Sequence, residues 1–130
     1  MSALYLGVDL GSSGLRLAVL AEAGAPGGDP ASPVLSRQSP YPGRFEDPEA
    51  WRQGLIDLVA TVPEECRRRV AAVAIDGTSG TLLACGPGGR LLPPPLAHAL
   101  PYHQACPEQA GAIATLLATG ARAAGNGAWA

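Results

Sequence analysis

The sequence contains no lysine. Its nine basic residues are all arginine and stand against eleven acidic ones, for a formal net charge of −2. The only basic run, Arg67-Arg68-Arg69, follows Glu64 and Glu65 and reads as a solvated helix end. With so little positive charge, no nucleic-acid partner is expected. Long apolar runs are also missing. No stretch approaches the ~20 residues that cross a bilayer, and the first strand pattern begins almost at Met1, where a leader would have to lie. A cytoplasmic chain with no membrane partner is therefore expected. Cysteine is sparse: Cys66, Cys85 and Cys106 are odd in number and widely spaced, which fits free thiols in a reducing compartment and argues against a disulfide framework or a zinc site. Cys106 stands beside a helix start, where a thiol pKa can fall, but an inert thiol is the expectation. A chain of 130 residues is long enough for one domain with a core and too short for two.

What is present is a regular order of strand and helix signals. Leu4 to Asp9 and Leu15 to Leu20 are apolar runs joined by Leu10 to Gly14, a Gly/Ser turn, and predict a hairpin. Glu22 to Pro33 has no period and reads as a surface loop, and Val34 to Ser39 predicts a third, edge-like strand that Pro40 and Pro42 end. Asp47-Pro48-Glu49 has the chemistry of a helix start, with a side-chain cap, a proline where no amide partner is needed and an acid at the positive end of the dipole. Trp51, Leu55, Leu58 and Val62 then recur at helical spacing and predict the face that packs on the sheet, with Pro63 closing the helix. Val70 to Ile75 is continuously apolar and predicts a buried strand. Thr81 to Cys85 and Arg90 to Leu92 flank Gly86-Pro87-Gly88-Gly89 and suggest a second hairpin or a turn to a short strand, and the triple proline from Pro93 predicts an extended path. Pro107-Glu108 opens a last helix with Ala110, Ile113, Leu116 and Leu117 on its apolar face, ended by Gly120 or Gly125.

Two strand ends carry the chemistry. Val8-Asp9-Leu10-Gly11-Ser12-Ser13-Gly14-Leu15-Arg16 and Ile75-Asp76-Gly77-Thr78-Ser79-Gly80-Thr81 each run from apolar residues into an acid, hydroxyls and glycines. Phosphoryl transfer is mostly positioning and charge neutralisation, so its sites need close backbone approach, hydroxyl donors and an acid for Mg²⁺. The first corner offers Gly11 and Gly14 for the approach, Ser12 and Ser13 as donors, Asp9 as the carboxylate and Arg16 as a fixed positive charge. An ordinary hairpin with a surface arginine remains the simpler account of that corner taken alone. At the second, Asp76, Thr78 and Ser79 could pair with the hydroxyls of a sugar, or could bond nearby backbone amides instead.

Together the two corners resemble the opening of the FGGY carbohydrate kinases, a branch of the actin and hexokinase superfamily. The closest resemblance is to the D-ribulose kinase, xylulose-kinase-like, group of cyanobacteria and plants. It rests on Asp-Leu-Gly-Ser-Ser-Gly-Leu-Arg from Asp9, Ile-Asp-Gly-Thr-Ser-Gly-Thr from Ile75, and Tyr-His-Gln-Ala-Cys-Pro from Tyr102, and it spans nearly the whole chain. It implies an α/β fold, the RNase H-like N-terminal lobe with a mixed sheet and flanking helices, truncated here.

The resemblance also implies roles. Asp9, Gly11, Ser12, Ser13 and Arg16 would form the phosphate-binding hairpin for ATP, with Asp9 meeting Mg²⁺ directly or through water. Ser79 would contact the sugar, with Asp76 and Thr78 shaping the site and Tyr102 and Gln104 approaching it. Most relatives carry threonine where Ser12 stands, which keeps the hydroxyl. Gln104 replaces an acid and Cys106 an arginine, substitutions the subgroup shares. Glutamine can bond hydroxyls but cannot act as a base. The catalytic base and most of the adenosine pocket are expected in a second lobe that this chain lacks, so none of its own residues is assigned as catalytic and the isolated chain is expected to be inactive. A lone lobe would expose an apolar surface large enough to drive association, with a second lobe or another copy. His103 is expected to be a surface or turn histidine, and His98 is given no role. The rival from another class is a non-catalytic module that binds a sugar or phosphate, or serves as an interaction surface. A fragment of an actin-like or chaperone ATPase would share the hairpin but leave the segments from Asp76 and Tyr102 unaccounted for.

Overall fold

The computed structural model describes residues 2–22, 32–105 and 107–116. They fall into two compact units, one up to Thr78 and one from Ser79 onward.

The first unit is a four-stranded mixed sheet in the order β3-β2-β1-β4. Strand β1 (Leu4–Gly11) and strand β2 (Gly14–Ala21) pair antiparallel in unbroken register from Leu4↔Ala21 to Gly11↔Gly14. The expected hairpin thus extends two residues beyond Asp9, and its connection shrinks to Ser12 and Ser13. Strand β3 (Leu35–Ser39) adds antiparallel to β2 and forms one edge, where the proline-bounded pattern placed it. Of the expected loop from Glu22 to Pro33, residues 23–31 lie outside the described residues.

Helix α1 (Pro48–Ala60) begins as its sequence directs: Asp47 accepts the Glu49 amide at 3.0 Å and Pro48 occupies the first turn. A short helix α2 (Glu64–Arg67) follows Pro63. Leu58 and Val62, both 2% exposed, join Leu4, Leu6, Val8, Leu15, Leu17 and Val19 in one core, with Leu55 packed against it. Alternation along the hairpin directs these side chains to the α1 face and leaves Asp9 and Arg16 on the other. The helix comes so close that a Cβ on Gly54 would stand 2.5 Å from Leu15 Cδ1. That approach centres α1 on β2.

Strand β4 (Val70–Gly77) runs parallel to β1 and forms the other edge. Its predicted burial is corrected here: Val73 and Ile75 are 55% and 59% exposed. The continuous apolar run suggested a strand covered on both faces, but α1 packs mainly against β2 and β3 and leaves most of β4 uncovered. The arginine run sits at the entry to β4. Arg68 pairs with Glu64, and Arg69 donates to the Ser2 carbonyl at 2.8 Å.

The second unit is built mainly of turns. Leu82 and Leu100 exchange backbone hydrogen bonds of 3.0 and 2.7 Å in an antiparallel bridge. Cys85 bridges Leu91 around a 3₁₀ turn at Pro87–Gly89. Of the hairpin or turn expected there, the structure shows a tight turn closed by a single bridge, because the residues from Gly86 to Arg90 are spent turning and few remain to pair. The triple proline does not run extended either: the Leu96 amide donates to the Pro93 carbonyl, closing a turn. After a 3₁₀ turn at Pro107–Gln109, helix α3 spans Ala110–Leu116. Leu117, Gly120 and Gly125, named for its apolar face and its end, lie outside the described residues, as does Cys106. Cys66 and Cys85 are free thiols. Among the described residues, no helix is long and apolar enough to cross a membrane.

The tight contact at Gly54 sets two opposed effects against each other. Alanine would favour the helix by about 1 kcal/mol, whereas forcing a methyl against a fully buried leucine costs about 1–3 kcal/mol. Gly54→Ala is expected to lower the urea midpoint despite its better helix propensity. Ile75→Thr, on the exposed strand, is expected to change stability by no more than about 0.5 kcal/mol. A rise in the midpoint for Gly54→Ala would show that α1 does not approach β2 this closely.

Candidate functional site

The tip of the hairpin is a turn of two exposed serines, Ser12 and Ser13, held between Gly11 and Gly14. Neither serine takes a positive φ, so the turn is not the mirror-image kind that suits a two-residue hairpin best. Gly14 supplies the left-handed conformation instead, with φ 148°. A Cβ there would also lie 2.8 Å from the Ser39 carbonyl oxygen, so glycine is required both by conformation and by space.

Immediately behind the tip, Arg16 Nη1 donates to Asp9 Oδ2 at 2.8 Å. The two residues are direct partners across β1 and β2, and the same row continues to Gln38 on β3 and Asp76 on β4. Directly paired residues share a face of the sheet, so the row Gln38, Arg16, Asp9, Asp76 lines its open side. Adjacent strands lie about 4.8 Å apart, which sets the two carboxylate-bearing positions side by side at the carboxyl ends of parallel β1 and β4. The Asp76 carboxylate accepts the amide of Gly77 at 2.9 Å, the local bond weighed against a ligand role. Thr78 closes the first unit.

Two hollows adjoin this row. The larger, about 740 Å³, has Gly7 and Ala18 among its lining residues, with Asp9, Arg16, Ser36 and Gln38 around it. The smaller, about 380 Å³, runs beside the tip along Ser13, Gly14, Arg16 and Ser39. The paired small residues Gly7 and Ala18 leave room on the face where larger side chains would fill it.

Among the described residues, no group of three or more His, Cys, Asp or Glu side chains stands together as a metal cage. Magnesium does not require one, since it is commonly held through one or two carboxylates, waters and substrate phosphates. Asp9 with Asp76 beside it fits that pattern.

The other proposed sugar-contacting residues belong to the second unit. Gly80, which follows Ser79, has φ 77°, and a Cβ on it would come within 2.9 Å of Tyr102 Cβ. Ser79 and Tyr102 therefore share a neighbourhood. Tyr102 is exposed and meets His103 edge to face, with ring centroids 5.3 Å apart. Gln104 is exposed, and its amide donates to the Pro101 carbonyl.

One further residue, with no motif around it, reaches the hairpin from a distant part of the sequence. The hydroxyl of half-buried Tyr41 donates to the Gly11 carbonyl at 2.9 Å. Its ring is the first of a series with Phe45 and Trp51, each pair 5.7 Å apart, and Trp51 Nε1 donates to the Phe45 carbonyl. No motif or spacing marks Tyr41. The only available signal was a lone aromatic between Pro40 and Pro42. Burial, and secondarily the nearby Asp9 carboxylate, push the Tyr41 phenol above its usual pKa of 10.0.

A folded-state pKa above the unfolded one stabilises the fold fully below pH 10.0, and that contribution is lost as pH rises through the higher value. Wild type is expected to lose stability relative to Tyr41→Phe above about pH 10, as read by urea unfolding across that range. Parallel curves would show that Tyr41 ionises as freely in the folded chain as in the unfolded one.

No family model matches the chain. Two solved structures share its fold. A xyloylose kinase from Brucella ovis matches 86% of this chain with a TM-score of 0.59 at 16% identity. A gluconate kinase from Lactobacillus acidophilus matches 88% with a TM-score of 0.58 at 15% identity. The chain spans only about a quarter of their lengths, 24% and 22%. The four-stranded mixed sheet with flanking helices is a fold this chain shares with those two kinases.

Proposed function

We propose that this chain is the phosphate-binding part of an ATP-dependent carbohydrate kinase whose substrate is a pentulose, D-ribulose first among them. The observation that carries this is the row of Arg16, Asp9 and Asp76 behind a glycine-flanked serine turn. It joins a fixed cation, two carboxylate positions and exposed hydroxyls at one end of the sheet. The likeness to sugar kinases supports it at the level of fold.

Gly11 and Gly14 let phosphate oxygens approach the backbone, and the Ser12 and Ser13 hydroxyls donate to them. Arg16, exposed and paired with Asp9, can turn to developing negative charge. Asp9 would hold Mg²⁺ directly or through water, with Asp76 as its neighbour. When bound, the ion would neutralise charge on the transferring phosphoryl group. The sugar is assigned, from the resemblance, to Asp76 and Thr78 and to Ser79, Tyr102 and Gln104.

No residue of this chain is assigned as the base that deprotonates the accepting hydroxyl. That group and the adenosine pocket are proposed to come from a second lobe, so the chain alone is expected to be catalytically silent. The proposed partners are ATP, the sugar and that lobe, or another copy meeting an exposed apolar surface.

A coupled ADP-release assay with ATP, Mg²⁺ and D-ribulose tests this on the longest reading frame that contains the chain. Asp9→Ala is expected to lower kcat/KM by about 10²-fold or more, as losing one preorganised electrostatic contact does. Ser79→Ala should act chiefly on the KM for the sugar. If neither variant matters, or if the chain binds sugar or phosphate with no turnover in any form, the non-catalytic binding module is the better account.

A further inference from the structure

Asp9 and Arg16 face each other directly across β1 and β2, and the guanidinium donates to the carboxylate at 2.8 Å. The same pair lies against the hairpin tip: a Cβ on Gly11 would stand 3.2 Å from Arg16 Nη1 and 3.7 Å from Asp9 Oδ2. The fixed cation proposed to meet a phosphate at the serine turn is thus already engaged by a carboxylate of the chain itself. Both side chains are well exposed, so the engagement is open to competition from a ligand.

The next position along the row adds to this. Asp76 pairs with Asp9 across β4 and β1, and it takes part in none of the ion pairs among the described residues. The row therefore sets one cation against two carboxylates. A free polyphosphate that reaches Arg16 has to displace Asp9, and it then has two unpaired carboxylates beside its own charge. Neither cost arises when Asp9 holds a divalent cation, because Asp9 then releases Arg16 and the excess negative charge is matched.

We infer that Asp9 is an internal competitor for Arg16, and that this competition makes the corner take polyphosphate as its divalent-metal complex in preference to the free anion. This rests on the phosphate-binding role proposed above and deepens it, by assigning the choice between two forms of one ligand to a named pair of residues. By linkage the preference is reciprocal: whatever draws Asp9 from Arg16 favours the anion, and an anion on Arg16 favours a cation at Asp9.

The test follows the Arg16 Nε–Hε resonance and the hairpin amides of the ¹⁵N-labelled chain in ¹H–¹⁵N correlation spectra. Three titrants are used: Mg²⁺ alone, tripolyphosphate in metal-free buffer, and tripolyphosphate in excess Mg²⁺. Mg²⁺ alone is expected to shift the Arg16 resonance in wild type and not in Asp9→Asn, which keeps the side-chain shape and removes the charge. Wild type should bind tripolyphosphate about fivefold or more tightly with Mg²⁺ than without it. Asp9→Asn should bind the metal-free anion about two- to fivefold more tightly than wild type, the range an exposed ion pair can supply. That gain should shrink when Arg16→Gln is also present. Both side chains lie outside the core, so these variants are expected to keep the fold. An equal gain from Asp9→Asn with and without Arg16 would mean simple repulsion and overturns the inference. So does an Arg16 resonance unmoved by Mg²⁺ alone, or equal binding of the two forms by wild type. Each of these leaves the phosphate role standing, whereas if neither form of tripolyphosphate moves a hairpin resonance in wild type, that role fails and the inference fails with it.

Discussion

The geometry of the candidate site depends on the register of β1. This strand is central, antiparallel to β2 on one side and parallel to β4 on the other. Its Leu4, Leu6 and Val8 enter the core, and period-two alternation then obliges Asp9 to face the open side with Arg16 and Asp76. A slip of one residue would turn the leucines to water and the carboxylate into the core, where an unpaired charge is very costly. The placement of the charged row is thus a by-product of hydrophobic sorting. Gly14 reinforces it, because its conformation and its closeness to Ser39 allow the turn to close at this position.

The electrostatics of the row are light by comparison. The Asp9–Arg16 pair is well exposed, at 44% and 57% for the two side chains, and such pairs contribute roughly 0–1 kcal/mol. The fold does not depend on it. A cation and a carboxylate held this loosely can part from each other at smaller cost than a buried pair could.

Much of the first unit was legible in the sequence because its signals are local. The Asp47 cap, the helical spacing of Leu55, Leu58 and Val62, the hairpin and the proline-bounded edge strand each specify themselves. Burial of β4 was not legible, since Val73 and Ile75 read as core whether or not a helix happens to cover them. The hairpin or turn expected around Gly86 to Gly89 closed as a tight turn with a single bridge, because the turning residues left few to pair. The motif residues of the first corner could be named from sequence, but their support could not. Tyr41 reaches Gly11 across 30 positions, and Gly54 looks like a flaw in a helical pattern until the leucine beneath it is known. Long-range supports of this kind leave no period to detect.

Gly54 also bears on how the unit assembles. A helix of 13 residues is marginal in isolation, and an interior glycine weakens it further. Helix α1 therefore has little tendency to form before the surface it docks on exists. The β1–β2 hairpin, whose contacts are short in sequence, can form first, and the helix would condense onto Leu15 afterwards. Folding of this unit would then be ordered by a single missing side chain, with the serine turn among the earliest parts to take shape and the helix among the last.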